Sequence, residues 1–302
     1  MKEMPAGGPA SRARGKNAAG SVPINAVWGK LGWIIIQAFL WFFAASVIFP
    51  MFWTLITSLK TSYELWHSPW ALPAVPQWDN YVRAWNKMHV GTYFFNSVNV
   101  TGISLFCTMA LGAMIAYALA RYDFPGKHPL YFYFICAMTI PAYVGFIPAW
   151  FLLRSLGILG THLGLIVTYT SNSLPFTVFF LTAFFKTLPK ELEESAIVDG
   201  ASLYGVFWRI MLPLAKSGLL TIGIFNFLGL WNEYFWALVT ISKDNLKTLP
   251  LGMANLMEVA RYATDWGALF AGFIIMLVPT FLVYAVFQGR LTRGVTIGAL
   301  RG

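Results

Sequence analysis

The chain has 302 residues, of which 58% are hydrophobic and 11% charged, and its mean hydropathy is +0.63. Soluble domains carry about 25% charged residues, so this composition excludes a soluble enzyme, a DNA-binding module and a disordered scaffold. The net charge of +9 is spread without a dense basic patch. It reads as orientation in a bilayer, not as nucleic-acid binding. Cys107 and Cys136 both lie in apolar runs and imply neither a disulfide framework nor a cysteine metal site.

Residues 1–30 are rich in Gly, Ala, Ser and Arg and are expected to form a flexible basic cytoplasmic tail. The apolar run that follows is too long for a signal-peptide core and has no clean small-residue cleavage site. A helix needs about 20 mostly apolar residues to cross the hydrocarbon. Six stretches meet this, about 31–57, 93–120, 130–153, 163–185, 217–241 and 267–289, and Glu233 is the one acidic interruption among them. Strand-like alternation is absent, and lipid tolerates only helices or closed barrels. The predicted fold is therefore all-α, an integral membrane protein with six transmembrane helices making one domain over 31–289. Pro50, Pro141, Pro148, Pro175 and Pro279 lie in or near the spans and are expected to kink them. Gly112, Ala116 and Ala120 form a small-residue stripe that lets two backbones approach.

Lys and Arg set the topology. With the N-terminus inside, fourteen of the twenty-one fall on the inner side and seven outside. That two-to-one bias predicts a multi-pass protein of the inner (cytoplasmic) membrane with both termini cytoplasmic, the second being a tail over 290–302. The chemistry of catalysis is missing: there is no phosphate-binding G-x-x-x-x-G-K-[ST], no H-E-x-x-H and no G-x-S-x-G. The four histidines are scattered near the expected membrane boundaries. The chain is expected not to be an enzyme, and to hold no metal and no cofactor.

The informative segment is the loop 187–214 between spans four and five, which reads as helix, turn, helix. Pro189 suits a first helical turn, and Glu191, Glu193 and Glu194 put negative charge at the positive end of the dipole. Gly200 can stop that helix in a left-handed conformation, and Asp199 or Ser202 can cap the next. Leu203, Val206, Phe207, Ile210, Met211 and Leu214 then share one α-helical face. Such a pair can lie on lipid, pack on the chain's own helices, or enter a groove on a partner; its acidic face disfavours anionic lipid, and helix-in-groove docking is a common way to couple two proteins.

This segment resembles the E-A-A-x-x-x-G-x(9)-I-x-L-P loop of permease subunits in binding-protein-dependent ATP-binding-cassette (ABC) importers. Glu194, Ser195, Ala196, Gly200, Ile210, Leu212 and Pro213 fall at the required spacings, with Ser195 in place of the commoner first Ala. Asn96-Ser97, Ala116 to Arg121, Phe124 to Lys127, Trp231-Asn232-Glu233, Thr248 to Gly252 and the ending Gly294 to Gly302 are similar to the carbohydrate-uptake branch, the maltose-permease group. Arg301 stands where that ending often has Lys.

The resemblance implies a heteromeric importer of a sugar, a di- or oligosaccharide. Its parts are this chain, a second permease subunit forming a heterodimer, two ATP-binding subunits that hold the ATP and Mg, and an extracytoplasmic solute-binding protein, all in contact with membrane lipid. It further implies that Glu191, Glu194, Ser195, Ala196, Asp199, Gly200, Ile210, Leu212 and Pro213 couple the chain to an ATPase subunit, with Glu194 paired to a basic group there. Polar residues inside spans are costly, so Asn172, Asn226, Trp231, Asn232 and Glu233 are candidates for the translocation path, or else for helix-to-helix hydrogen bonding. The competing readings are an ABC permease for another solute, such as a phosphorylated polyol or polyamine, an ATP-independent secondary transporter or channel, and a non-transporting membrane scaffold. Secondary carriers show inverted repeats with paired broken helices; no convincing repeat is visible in this sequence.

Overall fold

The structure is a computed structural model that describes residues 30–263 and 265–299, with side chains described over 32–258 and 265–289. Of the two expected tails, 1–29 and 300–302 lie outside the described residues. The chain divides into two compact units, residues 1–52 and 53–302. In the first, helix α1 (Lys30–Ser58) begins, and Trp33, Phe39, Trp41 and Phe42 are exposed along it. Ser46 Oγ donates to the Phe43 carbonyl at 2.8 Å, so the hydroxyl is satisfied within the helix itself.

In the second unit a strap carries α2 (Ser62–His67) and α3 (Asp79–Asn86). A capping box opens α2: Thr61 Oγ1 accepts the Glu64 N–H at 3.1 Å, while Glu64 Oε2 accepts the Thr61 N–H at 2.9 Å. The backbone N–H groups of Thr61 and Ala74, both donating to the carboxylate, hold Glu64 below its ordinary range. His89, at φ 57, turns the chain into α4 (Val90–Arg121). That left-handed conformation is uncommon without glycine.

The stretch expected as one span over 130–153 is two helices, α5 (Lys127–Thr139) and α6 (Phe146–Ser155), joined by a 3₁₀ turn at Ala142–Gly145. The halves are bent by 102°. Pro141 is the cause. It has no N–H, and its ring pushes the preceding residue out of the helical region, where Ile140 is found at φ −79 and ψ 121. Next comes α7 (His162–Thr187), whose N-cap Thr161 accepts the Gly164 N–H.

The segment after α7 holds α8 (Glu191–Val198), α9 (Leu203–Val206), a π turn (Phe207–Met211) and α10 (Leu212–Leu214). Helix α11 (Lys216–Trp231) follows at a 73° bend. The stretch expected over 217–241 thus stops at Trp231 and resumes as α12 (Phe235–Thr240). Glu233 explains the restart: Oε1 accepts the Trp236 N–H at 2.8 Å and Oε2 that of Ala237 at 3.2 Å, which caps the new helix. The chain ends in α13 (Leu249–Ala263) and α14 (Trp266–Ala299).

Among the described residues α1, α4, α7 and α14 are long and apolar enough to cross a membrane singly; the two bent pairs raise the count to at most six. Helices α4 and α7 lie close because Gly112 faces Thr177, where a Cβ would sit 2.6 Å from Thr177 Cγ2. Asn226 of α11 donates to Thr177 Oγ1 of α7 at 2.8 Å and to Met109 Sδ of α4 at 3.8 Å, so one amide links all three helices.

At the end remote from α8 a polar clasp joins three elements. Arg83 of α3 donates to Asp265 through Nε (2.9 Å) and Nη2 (3.2 Å), and to Asn80 Oδ1 at 2.5 Å. The buried Asn80 amide donates to the Ser58 and Lys60 carbonyls at 2.7 and 2.9 Å. Asp265 also accepts the Ala268 N–H, capping α14. Burial pushes the Asp265 carboxyl up, but the hydrogen bond and charge of Arg83 outweigh it and hold the group below its ordinary value. Nearby Lys60 is itself buried, and desolvation lowers its ammonium although Nζ donates to the Ser68 and Pro69 carbonyls at 2.9 Å each.

Candidate coupling site

The foot formed by α8 to α10 follows local sequence rules closely. Three glutamates fill the first turn of α8, where the dipole favours them. Its end is a Schellman motif: Gly200 lies at φ 85, its N–H reaches the Ile197 carbonyl at 3.0 Å, and the Ala201 N–H reaches the Ala196 carbonyl at 2.9 Å. Ser202 caps α9 by accepting the Gly205 N–H at 3.2 Å. Of the two caps the sequence allowed, Ser202 is the one used.

The foot has two faces. On one, Ala196, Val206, Phe207 and Met211 are buried with Ala113, Ala116 and Tyr117 of α4, Leu181 and Phe185 of α7, and Ile222 of α11. The rings of Tyr117 and Phe207 lie 5.0 Å apart. The single apolar face expected from α-helical spacing is only partly realised, since Leu203 and Leu214 remain exposed. For Leu214 the π turn is the reason: the Leu212 N–H bonds the Phe207 carbonyl five residues back, which widens the turn and takes the residues beyond it out of register. On the other face Glu191, Glu194, Ser195, Asp199, Gly200 and Pro213 are exposed, together with Val198 (86%) and Tyr204 (79%). Ile210 and Leu212 are half-buried between the faces. A groove of about 630 Å³ opens along Gly200, Ser202, Tyr204, Trp208, Arg209 and Ile210.

An ion pair fastens the foot to its base. Arg121 Nε lies 2.6 Å from Glu193 Oε1, with the side chains 3% and 12% exposed. Arg121 Nη2 donates to the Leu188 carbonyl at 2.8 Å, and the Tyr117 hydroxyl donates to Glu193 Oε2 at 3.4 Å. Neither Arg121 nor Glu193 stood among the expected site residues. The structure separates the glutamates: Ala196 is buried, and position i−3 on a helix shares its face, so Glu193 faces inward while Glu191 and Glu194 face out.

The candidates for the path separate in the same way. Trp231 is 2% exposed; its indole stacks on Phe227 and its Nε1 donates to the Met276 carbonyl at 3.1 Å. Asn226 is buried in the tie to Thr177, and Glu233 serves as the cap of α12. Asn172 and Asn232 are exposed, each donating Nδ2 to the carbonyl four residues back at 2.9 Å.

Residues 108–297, from the middle of α4 through α14, match the family described as binding-protein-dependent transport system inner membrane component. The chain belongs to this family. Its curated relatives include the diacetylchitobiose uptake system permease protein NgcG of Streptomyces coelicolor, 41% identical over 88% of each chain. The sulfoquinovosyl glycerol transport system permease protein SmoH of Agrobacterium fabrum is 33% identical over 86% of this chain and 93% of its own. The arabinooligosaccharides transport system permease protein AraQ of Bacillus subtilis is 30% identical over 89% and 96%. A chain of the crystal structure of a bacterial ABC transporter involved in the import of the acidic polysaccharide alginate has the same fold, with a TM-score of 0.76 and 22% identity over 86% of this chain and 96% of that one. This inner membrane component therefore carries its foot on an ABC-transporter fold.

Proposed function

We propose that the chain is one of two permease subunits of a binding-protein-dependent ABC importer that moves an oligosaccharide inward, driven by ATP hydrolysis in two partner subunits. An extracytoplasmic binding protein delivers the solute. Six spans cross the membrane, the two bent pairs counting as one each, and both termini are cytoplasmic. The names of the relatives, which give diacetylchitobiose, arabinooligosaccharides and sulfoquinovosyl glycerol, support a carbohydrate solute.

The observation that carries the reading is the two-faced foot. One face is locked in the chain's own core, and the other offers Glu191, Glu194, Asp199, Val198 and Tyr204 outward. An ATPase cleft lined with basic and apolar groups fits that face, Glu194 pairing with a base. When ATP closes the ATPase dimer the docked feet move together, and rigid-body contact carries the motion to the spans. Asn172 and Asn232 face the path, where an amide suits a sugar hydroxyl. Asn226, Trp231 and Glu233 hold the walls in place.

The test is purification with the partner subunits, followed by binding measurements on the binding protein against a carbohydrate panel, and transport by Glu194→Lys and Gly200→Pro variants. Selective oligosaccharide binding with loss of transport in both variants supports the reading. Full transport by both variants in an intact complex refutes the coupling role of the foot.

A further inference from the structure

The Arg121–Glu193 pair sits where three helix ends meet. Arg121 is the last residue of α4, and its guanidinium also reaches Leu188, the C-cap of α7. The cation thus lies at two helix C-termini, and its anion lies in the first turn of α8; both placements suit the macrodipoles. The guanidinium is anchored to α7 by its Nη2 bond to the Leu188 carbonyl, and its close charge contact with Glu193 holds the start of α8 beside it. The foot joins α7 covalently through Leu188, Pro189 and Lys190, a link that reaches α7 alone, so its hold on α4 comes from side-chain contacts. Beyond the pair the base is stiff: α4 and α7 are in close contact at Gly112, and Asn226 ties α11 to Thr177.

We infer that Arg121 and Glu193 form the joint through which movement of the foot is passed to α4 and α7 as one rigid body, both acting as positioning residues. This rests on the reading of the foot as the ATPase contact. On that reading Glu194 faces the motor and Glu193, one residue earlier, faces the lever. Loss of the pair leaves the foot docked and seated on the core through Ala196, Val206, Phe207 and Met211, but loosens the N-terminal end of α8 against α4.

The experiment uses the assembled complex with Cys107 and Cys136 replaced by Ser and spin labels at Val198→Cys on the foot and Ile103→Cys on α4. The distance between labels is measured without nucleotide and in the ATP–vanadate state. With the pair intact we expect one narrow distribution that is the same in both states. With Arg121→Lys or Glu193→Gln we expect a broadened distribution that shifts with nucleotide, and with the exchange Arg121→Glu/Glu193→Arg a return towards the narrow one. A merely structural contact does not make the distance depend on nucleotide.

Narrow, nucleotide-independent distances in both single variants overturn the inference, and so does an exchange variant as broad as the singles. Failure of both conservative variants to assemble also overturns it, since the pair is then needed for folding and not for transmission. The mobility of the Val198 label separates the two readings. A label that is not immobilised when the ATPase subunits are added refutes docking of the foot, whereas the distance measured within the permease still reports on the joint.

Discussion

Replacing Gly112 by Ala probes the contact that makes α4 and α7 one body. A Cβ there lies 2.6 Å from Thr177 Cγ2 and 3.3 Å from Thr177 Cβ, whereas an unstrained carbon pair sits at about 3.5–4.0 Å. Roughly 1 Å must be found. Thr177 does not turn away freely, because its Oγ1 accepts from Asn226 at 2.8 Å and donates to the Ser173 carbonyl at 2.8 Å. Each such bond is worth about 1 kcal/mol. Overpacking by one methyl costs about 1–3 kcal/mol, and removing a helical glycine returns about 0.5–1 kcal/mol. The expected net loss is about 1 kcal/mol. Thr177→Ser deletes the obstructing methyl and keeps the hydroxyl, and alone costs about 1 kcal/mol. In Gly112→Ala/Thr177→Ser the new methyl occupies the vacated space, so the double variant should lie within about 0.5 kcal/mol of the parent, an interaction energy of about 2 kcal/mol. Unfolding by SDS in mixed micelles, followed by tryptophan fluorescence, measures all four species. Strict additivity of the two single changes refutes the packing argument, as does a neutral Gly112→Ala.

Three further outcomes follow from single sites. Gly200→Ala adds an atom with nothing within 4 Å, so its cost is the left-handed backbone alone, about 1–2 kcal/mol; proteolysis of the foot should accelerate, less so in Gly200→Asn. Glu233→Ala removes both acceptors from the start of α12 and should cost about 1–2 kcal/mol in the same SDS titration, whereas Glu233→Gln keeps one acceptor and should cost less. Asp265 has a folded-state value held below its unfolded one. Its stabilisation is therefore complete above the ordinary carboxylate range, about pH 4, and is lost as pH falls through the lowered value. Hydrogen exchange at the start of α14 should rise on acidification, and Asp265→Asn should flatten that response; an equally steep response in the variant excludes the Arg83–Asp265 clasp as its source.

Hydropathy made the apolar stretches legible, because length and freedom from charge are properties of residues taken one at a time. Breaks within them were less so. Pro141 and Glu233 were both visible, yet a proline in lipid can kink, break or merely loosen a helix. The choice at Pro141 depends on Ile140 being extended, and at Glu233 on a carboxylate turning back to cap α12. The helix end at Gly200 and the cap at Ser202 were legible because both motifs are local in sequence. The joint between Arg121 and Glu193 was not, since it spans two elements 72 positions apart in the numbering. Only the burial of Ala196 selects Glu193 from three neighbouring glutamates.

The π turn gives this selection a mechanical consequence. An unbroken α-helix from Leu203 to Leu214 would turn all six apolar residues onto the core and leave a smooth polar back. With the turn widened at Phe207–Met211, Phe207 and Met211 are buried and Leu214 beyond it is exposed. The outward face of the foot carries both charge, from Glu191, Glu194 and Asp199, and apolar surface, from Val198, Leu203 and Tyr204. Lipid headgroups suit such an acidic face poorly, and a purely polar face would bind a protein groove weakly. On the proposed reading, a partner with a basic rim and an apolar floor satisfies both halves of that face.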